Sequence, residues 1–174
     1  MVSEKISIFL NSFLFKSEVF DFLVEFIAND FGYIIIVFLC AYYFLFIKKP
    51  KTFLKIIFFV GISWLVVTLL KSLFGETRPF FVIPEIKPLF VLGGSDSFPS
   101  GHATVFSTLA TLVYLDNRKL GYFYIIAAFF IGLTRIIAGV HYVHDILAGF
   151  ALGVILALLM SYFYPKLRNK ILKR

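Results

Sequence analysis

Three short polar patches interrupt an otherwise apolar sequence: Lys71 with Arg78-Pro79, Pro99-Ser100-Gly101-His102, and Arg135 with His141 and Asp145. These residue types suit one task, which is to hold a phosphoryl group and move protons around it. Two of the chain's three histidines lie in these patches. Guanidinium groups match phosphate oxygens in a planar bidentate fork, and lysine adds a point charge. His141 and Asp145 stand four residues apart, which on a helix places both on one face. The carboxylate can then hold one imidazole nitrogen and leave the other free. Pro99, Ser100 and Gly101 precede the apolar run that begins at Ala103, as at a helix start, where unpaired backbone N–H groups favour an anion.

This set predicts phosphoryl transfer through a phosphohistidine. Lys71, Arg78, Arg135, the Ser100 hydroxyl and the N–H groups near Gly101 would cradle the phosphate. His141, aligned by Asp145, would attack phosphorus, while His102 would protonate the leaving group and then activate water. Three fixed cations would stabilise the equatorial oxygens, so no metal or other cofactor is required. A metal hydrolase is a second reading, because His141, His144 and Asp145 lie within five residues and His102 could complete a site. The neighbouring Lys71, Arg78 and Arg135 would repel a divalent cation. A third reading is a lipid-phosphate binder or transporter that uses the same pocket without turnover.

The elements that must position these residues are membrane helices. The chain has 174 residues, of which 60% are hydrophobic and 20% aromatic, and its mean hydropathy is +0.94, far outside the composition of soluble domains. The apolar runs 31–47, 53–70, 103–115, 120–134 and 146–164 predict an all-α, polytopic bundle of five transmembrane helices. Residues 1–30 carry Glu18, Asp21 and Glu25 at helical spacing and predict an amphipathic helix on the membrane surface, with a sixth span as the alternative. The start lacks the features of a cleavable signal peptide, so the first helices are expected to persist in the mature protein. Residues 1–174 read as a single domain with its motifs within 71–145, and the stretch 72–100, rich in Gly and Pro, reads as a functional loop. Cys40 has no partner cysteine and reads as packing.

The net charge of +7 is explained by its placement, not by nucleic acid. Lys48, Lys49, Lys51 and Lys55 follow the first span, Arg118 and Lys119 the third, and Lys166, Arg168, Lys170, Lys173 and Arg174 the fifth. By the positive-inside rule these ends are cytoplasmic, which puts the loops 72–101 and 135–145 on the outer face. Basic residues on that disfavoured side fall mostly in the polar patches. As isolated residues, Arg78 and Arg135 would read as interfacial anchors and Asp145 as a helix-start charge. His144 matches no motif position and is expected to be an exposed residue at a helix start.

In order and spacing, Lys71 with Arg78-Pro79, Pro99-Ser100-Gly101-His102, and Arg135 with His141 and Asp145 resemble the three-part signature of the type-2 phosphatidic acid phosphatase family. The resemblance covers about two fifths of the chain. It implies a metal-independent membrane phosphatase with His141 as nucleophile, Asp145 as its partner and His102 as acid. It also implies that Lys71, Arg78, Ser100, Gly101 and Arg135 bind phosphate. The family has serine before the third-patch arginine; here it is Thr134, whose hydroxyl is expected to keep that role. The small size and acidic N-terminus are similar to the bacterial inner-membrane branch, with the site facing the periplasm. Within it the chain leans toward lipid A 1-phosphatase, with phosphatidylglycerophosphate and undecaprenyl diphosphate phosphatases as alternatives. The expected partners are the bilayer and a lipid substrate with a phosphate headgroup.

Overall fold

The computed structural model describes residues 2–91 and 94–171, without the side chains of 166–171. Gly93, expected to be a loop breaker, and the basic residues Lys173 and Arg174 lie outside the described residues, as do the side chains of Lys166, Arg168 and Lys170. The described chain is all helical apart from one isolated bridge, in the order α1 (Val2–Asn11), α2 (Glu18–Asn29), α3 (Phe31–Ala41), α4 (Pro50–Phe74), α5 (Pro79–Val82), α6 (Gly101–Asp116), α7 (Arg118–Ile137) and α8 (Val143–Ile171). A π-helical turn, Tyr42–Phe46, continues α3.

Local chemistry sets the ends of these helices. Pro50 opens α4 at a position where the missing N–H costs nothing, and Gly75 closes it in the left-handed region at φ 59°. Asn117 serves both neighbours: it ends α6, and its side chain accepts from Leu120 N to cap α7. A single-residue connection therefore forces α6 and α7 into antiparallel contact.

The core lies around α6, which packs against α7, α8 and α4. Leu109 and Val113 of α6 are fully buried with Ile56, Tyr124, Ile131 and Ala157 from those neighbours. The outer faces reverse the soluble pattern: Val37, Trp64, Leu69, Phe129 and Leu147 are all exposed, as lipid contact requires. Gly149 and Gly153 let α8 approach α6 closely; a Cβ at Gly149 would lie 2.8 Å from the Ala103 Cβ and the Ser100 carbonyl.

Each of the five apolar runs is helical. Three helices, α4, α7 and α8 as far as Pro165, are long and apolar enough to cross a membrane, and α2 with α3 and its π turn makes a fourth if their 50° bend is one broken span. At 16 residues α6 extends about 24 Å, short of a roughly 30 Å hydrocarbon core. The N-terminal segment is two helices, not one, because the chain turns at residues 12–17 and Ser17 caps α2 afresh. Neither lies free. Asn11 of α1 is buried, donating to Lys87 O and Ile137 O and accepting from Lys87 N, each at 2.9 Å. In α2, Val24 packs in one cluster with Leu14, Ile137, Ala138 and Val140.

This order of elements sorts the charges. The ends of α4 and α7 meet the starts of α6 and α8 at one end of the bundle, where every motif residue lies. Lys48, Lys49, Lys51, Arg118 and Lys119 fall at the other end, where Tyr43 donates to Asp116 at 2.7 Å.

Candidate active site

Four helix ends and one loop build the site. Lys71 stands in the last turn of α4, where its Nζ donates to the carbonyls of Asp96 and Ser97 at 3.0 and 2.8 Å. Arg78 follows in the loop, its Nε donating to Gly94 O at 2.8 Å. That loop is not structureless. It contains α5, a bridge between Thr77 and Asp96, and a buried Ile86, and it is pinned by Leu89 N donating to Ala138 O.

The start of α6 supplies Ser100, Gly101 and His102. Ser100 is buried and its hydroxyl accepts from Ala103 N, while its own N–H donates to Asp145 O. Its side chain is therefore used in capping and lines neither of the cavities described below. From α7, Arg135 is 5% exposed; it contacts His102 through one guanidinium nitrogen and lies 5.4 Å over the Phe90 ring. Its Nε is buried with no hydrogen-bond partner among the described residues. The Thr134 hydroxyl bonds the carbonyls of Phe130 and Ile131 in its own helix, so nothing here connects it to the site.

Gly139, at φ 75°, turns the chain off α7, and its missing Cβ leaves room for Ile86 and Asn11. Two residues later His141 is delivered into the interior, 3% exposed. Its Nδ1 lies 3.1 Å from Asp145 Oδ2. A carboxylate only accepts, so Nδ1 carries the proton and Nε2 the lone pair. Burial pushes the His141 imidazole down to about 4, against the pull of Asp145, so it is unprotonated at neutral pH. Burial also lowers Arg78, opposed by the charges of Asp145 and Asp96.

Sequence reasoning missed Ser97. Its buried hydroxyl donates to Asp145 Oδ2 at 2.5 Å and lies 3.2 Å from His141 Nδ1. Asp145 Oδ2 also accepts from Tyr142 N at 2.8 Å. The available signal was a serine three residues ahead of Ser100 in a stretch already marked as functional.

Two neighbouring cavities open on this centre. One, of about 430 Å³, is lined by Lys71, Arg78, Gly101, His102 and His141 and continues along apolar Ile36, Trp64 and Val105. The other, of about 440 Å³, is lined by Asn29, Asp30, Tyr33, Arg78, His102, Arg135 and His141. The structure thus brings together Lys71, Arg78, Gly101, His102, Arg135 and His141 around shared space, with Asp145 behind His141. The metal-ligand set weighed from the sequence does not converge, since His141 meets one Asp145 oxygen and His144 the other. Nor is His144 simply exposed: both of its ring nitrogens have partners.

A family model described as the PAP2 superfamily matches residues 52–169. The chain is 31% identical over 163 residues to the bacitracin transport permease protein BcrC of Bacillus licheniformis, covering 91% of this chain and 79% of that one. It is 33% identical over 109 residues to the undecaprenyl-diphosphatase BcrC of Bacillus subtilis, covering 62% and 56%. It is 30% identical over 113 residues to a lipid A 1-phosphatase of Rhizobium johnstonii, covering 63% and 46%, so the chain spans about half the length of these last two. Among solved structures, the transmembrane PAP2-type phosphatidylglycerolphosphate phosphatase from Bacillus subtilis superposes with a TM-score of 0.70 at 27% identity, covering 95% of this chain and 85% of that one. The molecule is a multi-pass membrane protein of that fold.

Proposed function

The chain belongs to the PAP2 superfamily, and on that premise we propose that it is a lipid phosphate hydrolase that works through a phosphohistidine on His141. The observation that carries this reading is the orientation of His141. Asp145 holds Nδ1, which leaves the Nε2 lone pair for a cavity lined by Lys71, Arg78, Gly101 and His102.

Nε2 attacks phosphorus, and the bond from phosphorus to the leaving oxygen breaks. His102, whose Nε2 meets the Arg135 guanidinium, must take up a proton as the phosphate draws that guanidinium away, and gives it to the leaving oxygen. Negative charge on the equatorial oxygens meets Lys71, Arg78 and Arg135, the last with an unsatisfied N–H to offer. As His141 gains positive charge, Asp145 stabilises it. Water, deprotonated by His102, then attacks the phosphohistidine and releases inorganic phosphate, restoring both histidines. No step requires a metal.

The apolar continuation of the first cavity past Ile36 and Trp64 supports sideways entry of a lipid whose chains stay in the bilayer. The basic residues at the opposite end of the bundle support a periplasmic site in a bacterial inner membrane. For the headgroup, the lipid A 1-phosphatase reading is supported by the relative of that name. The match to two proteins called BcrC, one of them an undecaprenyl-diphosphatase, favours a lipid diphosphate as the second reading.

The test is phosphate release by detergent-purified protein in EDTA, from lipid A, undecaprenyl diphosphate, phosphatidylglycerophosphate and phosphatidic acid, with His141→Ala as control. Release that survives EDTA and vanishes in the variant is expected, and the rank order selects the lipid. Binding without release would favour a transporter or binder, and release only with added metal would refute the phosphohistidine.

A further inference from the structure

The phosphohistidine reading leaves His144 without a role, although the sequence puts it beside Asp145 and the fold surrounds it with ligand atoms. Its Nε2 lies 2.8 Å from Glu76 Oε1 and 3.3 Å from Asp145 Oδ1. Its Nδ1 lies 3.0 Å from Ser3 Oγ in α1, and the Tyr142 ring stacks on the imidazole at 5.1 Å. The Ser3 contact and the stacking fix the ring so that Nε2 faces the two carboxylates.

One ring nitrogen and two carboxylate oxygens lie within 4.8 Å of one another, an arrangement held either by a hydrogen on the nitrogen or by a cation bound by all three. Lys71 and Arg78, whose charges reach Asp145, bond elsewhere, Lys71 Nζ to two carbonyls and Arg78 to those of Gly94 and Val140, and Glu76, absent from the set weighed in the sequence, adds the carboxylate that offsets their repulsion of a divalent ion. Asp145 is fully buried, and its Oδ1 accepts no hydrogen bond among the described residues. This oxygen is turned away from the catalytic pair, which uses Oδ2 alone.

The spacing suits a first-row transition metal. Zinc holds nitrogen and oxygen at about 2.0–2.2 Å in a tetrahedron, which separates neighbouring ligand atoms by about 3.3–3.5 Å. The two observed separations from Nε2, 2.8 and 3.3 Å, reach that spacing with a small opening of the Glu76 side chain. Imidazole with two carboxylates is a donor set that zinc accepts, with a fourth position left for water. Glu76 and His144 are 38% and 43% exposed in their side chains, so an ion can enter from the aqueous rim without crossing the phosphate cavities.

We propose that Glu76, His144 and Asp145 form a site for a divalent transition-metal ion such as Zn²⁺, and that filling it inhibits the enzyme. A cation on Oδ1 draws the carboxylate's charge away from the His141 side. The imidazolium that forms on phosphoryl transfer then loses part of its stabilisation. The metal takes no part in the reaction. Inhibition rests on the phosphohistidine reading, whereas binding does not.

The experiment uses tag-free, full-length protein in detergent, stripped with EDTA and then titrated with zinc chloride by calorimetry and, in parallel, for phosphate release. One ion per chain is expected, with inhibition over the same concentration range. Glu76→Gln and the Glu76→Gln/His144→Ala pair should each weaken both effects about tenfold or more while keeping most zinc-free turnover. Cobalt read by its visible absorption band reports the site independently of activity, with the band expected in the parent and lost in the variants. No binding to the parent, or equal binding by parent and variants, overturns the site. Binding without inhibition in an active enzyme overturns the regulatory half. A parent that binds zinc but shows no turnover sinks the phosphatase mechanism and leaves the site standing.

Discussion

Ser97→Ala removes one hydroxyl and leaves every cavity-lining residue in place, so it isolates the support behind the proposed nucleophile, His141. The lost bond to Asp145 Oδ2 is charge-assisted and fully buried. Such bonds contribute about 1.5–3 kcal/mol, and each ~1.4 kcal/mol of transition-state stabilisation is a tenfold rate. The full range would be about 10- to 150-fold in kcat/KM. Oδ2 keeps Tyr142 N and His141 as donors, which places the expectation near the lower limit, about tenfold. Ser97 lines neither cavity, so the loss should appear in kcat with KM nearly unchanged. The assay is steady-state phosphate release in EDTA for the parent, Ser97→Ala, Asp145→Asn and the double variant. If Ser97 acts through Asp145, its removal should cost much less in the Asp145→Asn background. Equal costs in both backgrounds, or a change confined to KM, would refute the reasoning.

Two stability predictions follow from packing. Asn11→Ala should cost about 1–3 kcal/mol, because the buried Ile137 carbonyl and the part-buried Lys87 backbone groups lose their partner; the check is a lower thermal midpoint in detergent, and an unchanged one would show that α1 is not anchored there. Gly149→Ala should cost about 1–3 kcal/mol by pressing on Ala103 and Ser100. It should also slow turnover by shifting His102, whereas Gly61→Ala, which meets nothing within 4 Å, should leave both unchanged. Equal effects at the two glycines would contradict the close α6 and α8 contact.

The pairing of His141 with Asp145 was legible because the two are close in sequence; they meet at 3.1 Å, although not on one helix face as expected, since His141 precedes α8 and only Asp145 lies in its first turn. The start of α6 at Ser100 and the membrane class were legible for the same reason, being carried by neighbouring residues and by composition. Ser100 shows the limit of such reading, since its hydroxyl could serve either a phosphate or the helix, and only the fold shows it accepting from Ala103 N.

Ser97, Glu76 and Asn29 were invisible for a different reason. Each reaches the site across a gap in sequence, Ser97 to Asp145 over 48 residues and Glu76 to His144 over 68. No spacing rule covers such distances. The break of α1 from α2, and the burial of Asn11 against Ile137, likewise depend on which surfaces remain to be covered once α7 and the loop are in place. The amino-acid sequence by itself determined which chemistry the chain can hold and that it must do so in helices within a membrane, because residue type, local period and hydropathy act over a few residues. The tertiary structure decided which polar groups back His141 and which, such as Asp145 Oδ1, are left without a hydrogen bond among the described residues, because partnership in a buried site is settled only when distant segments pack together.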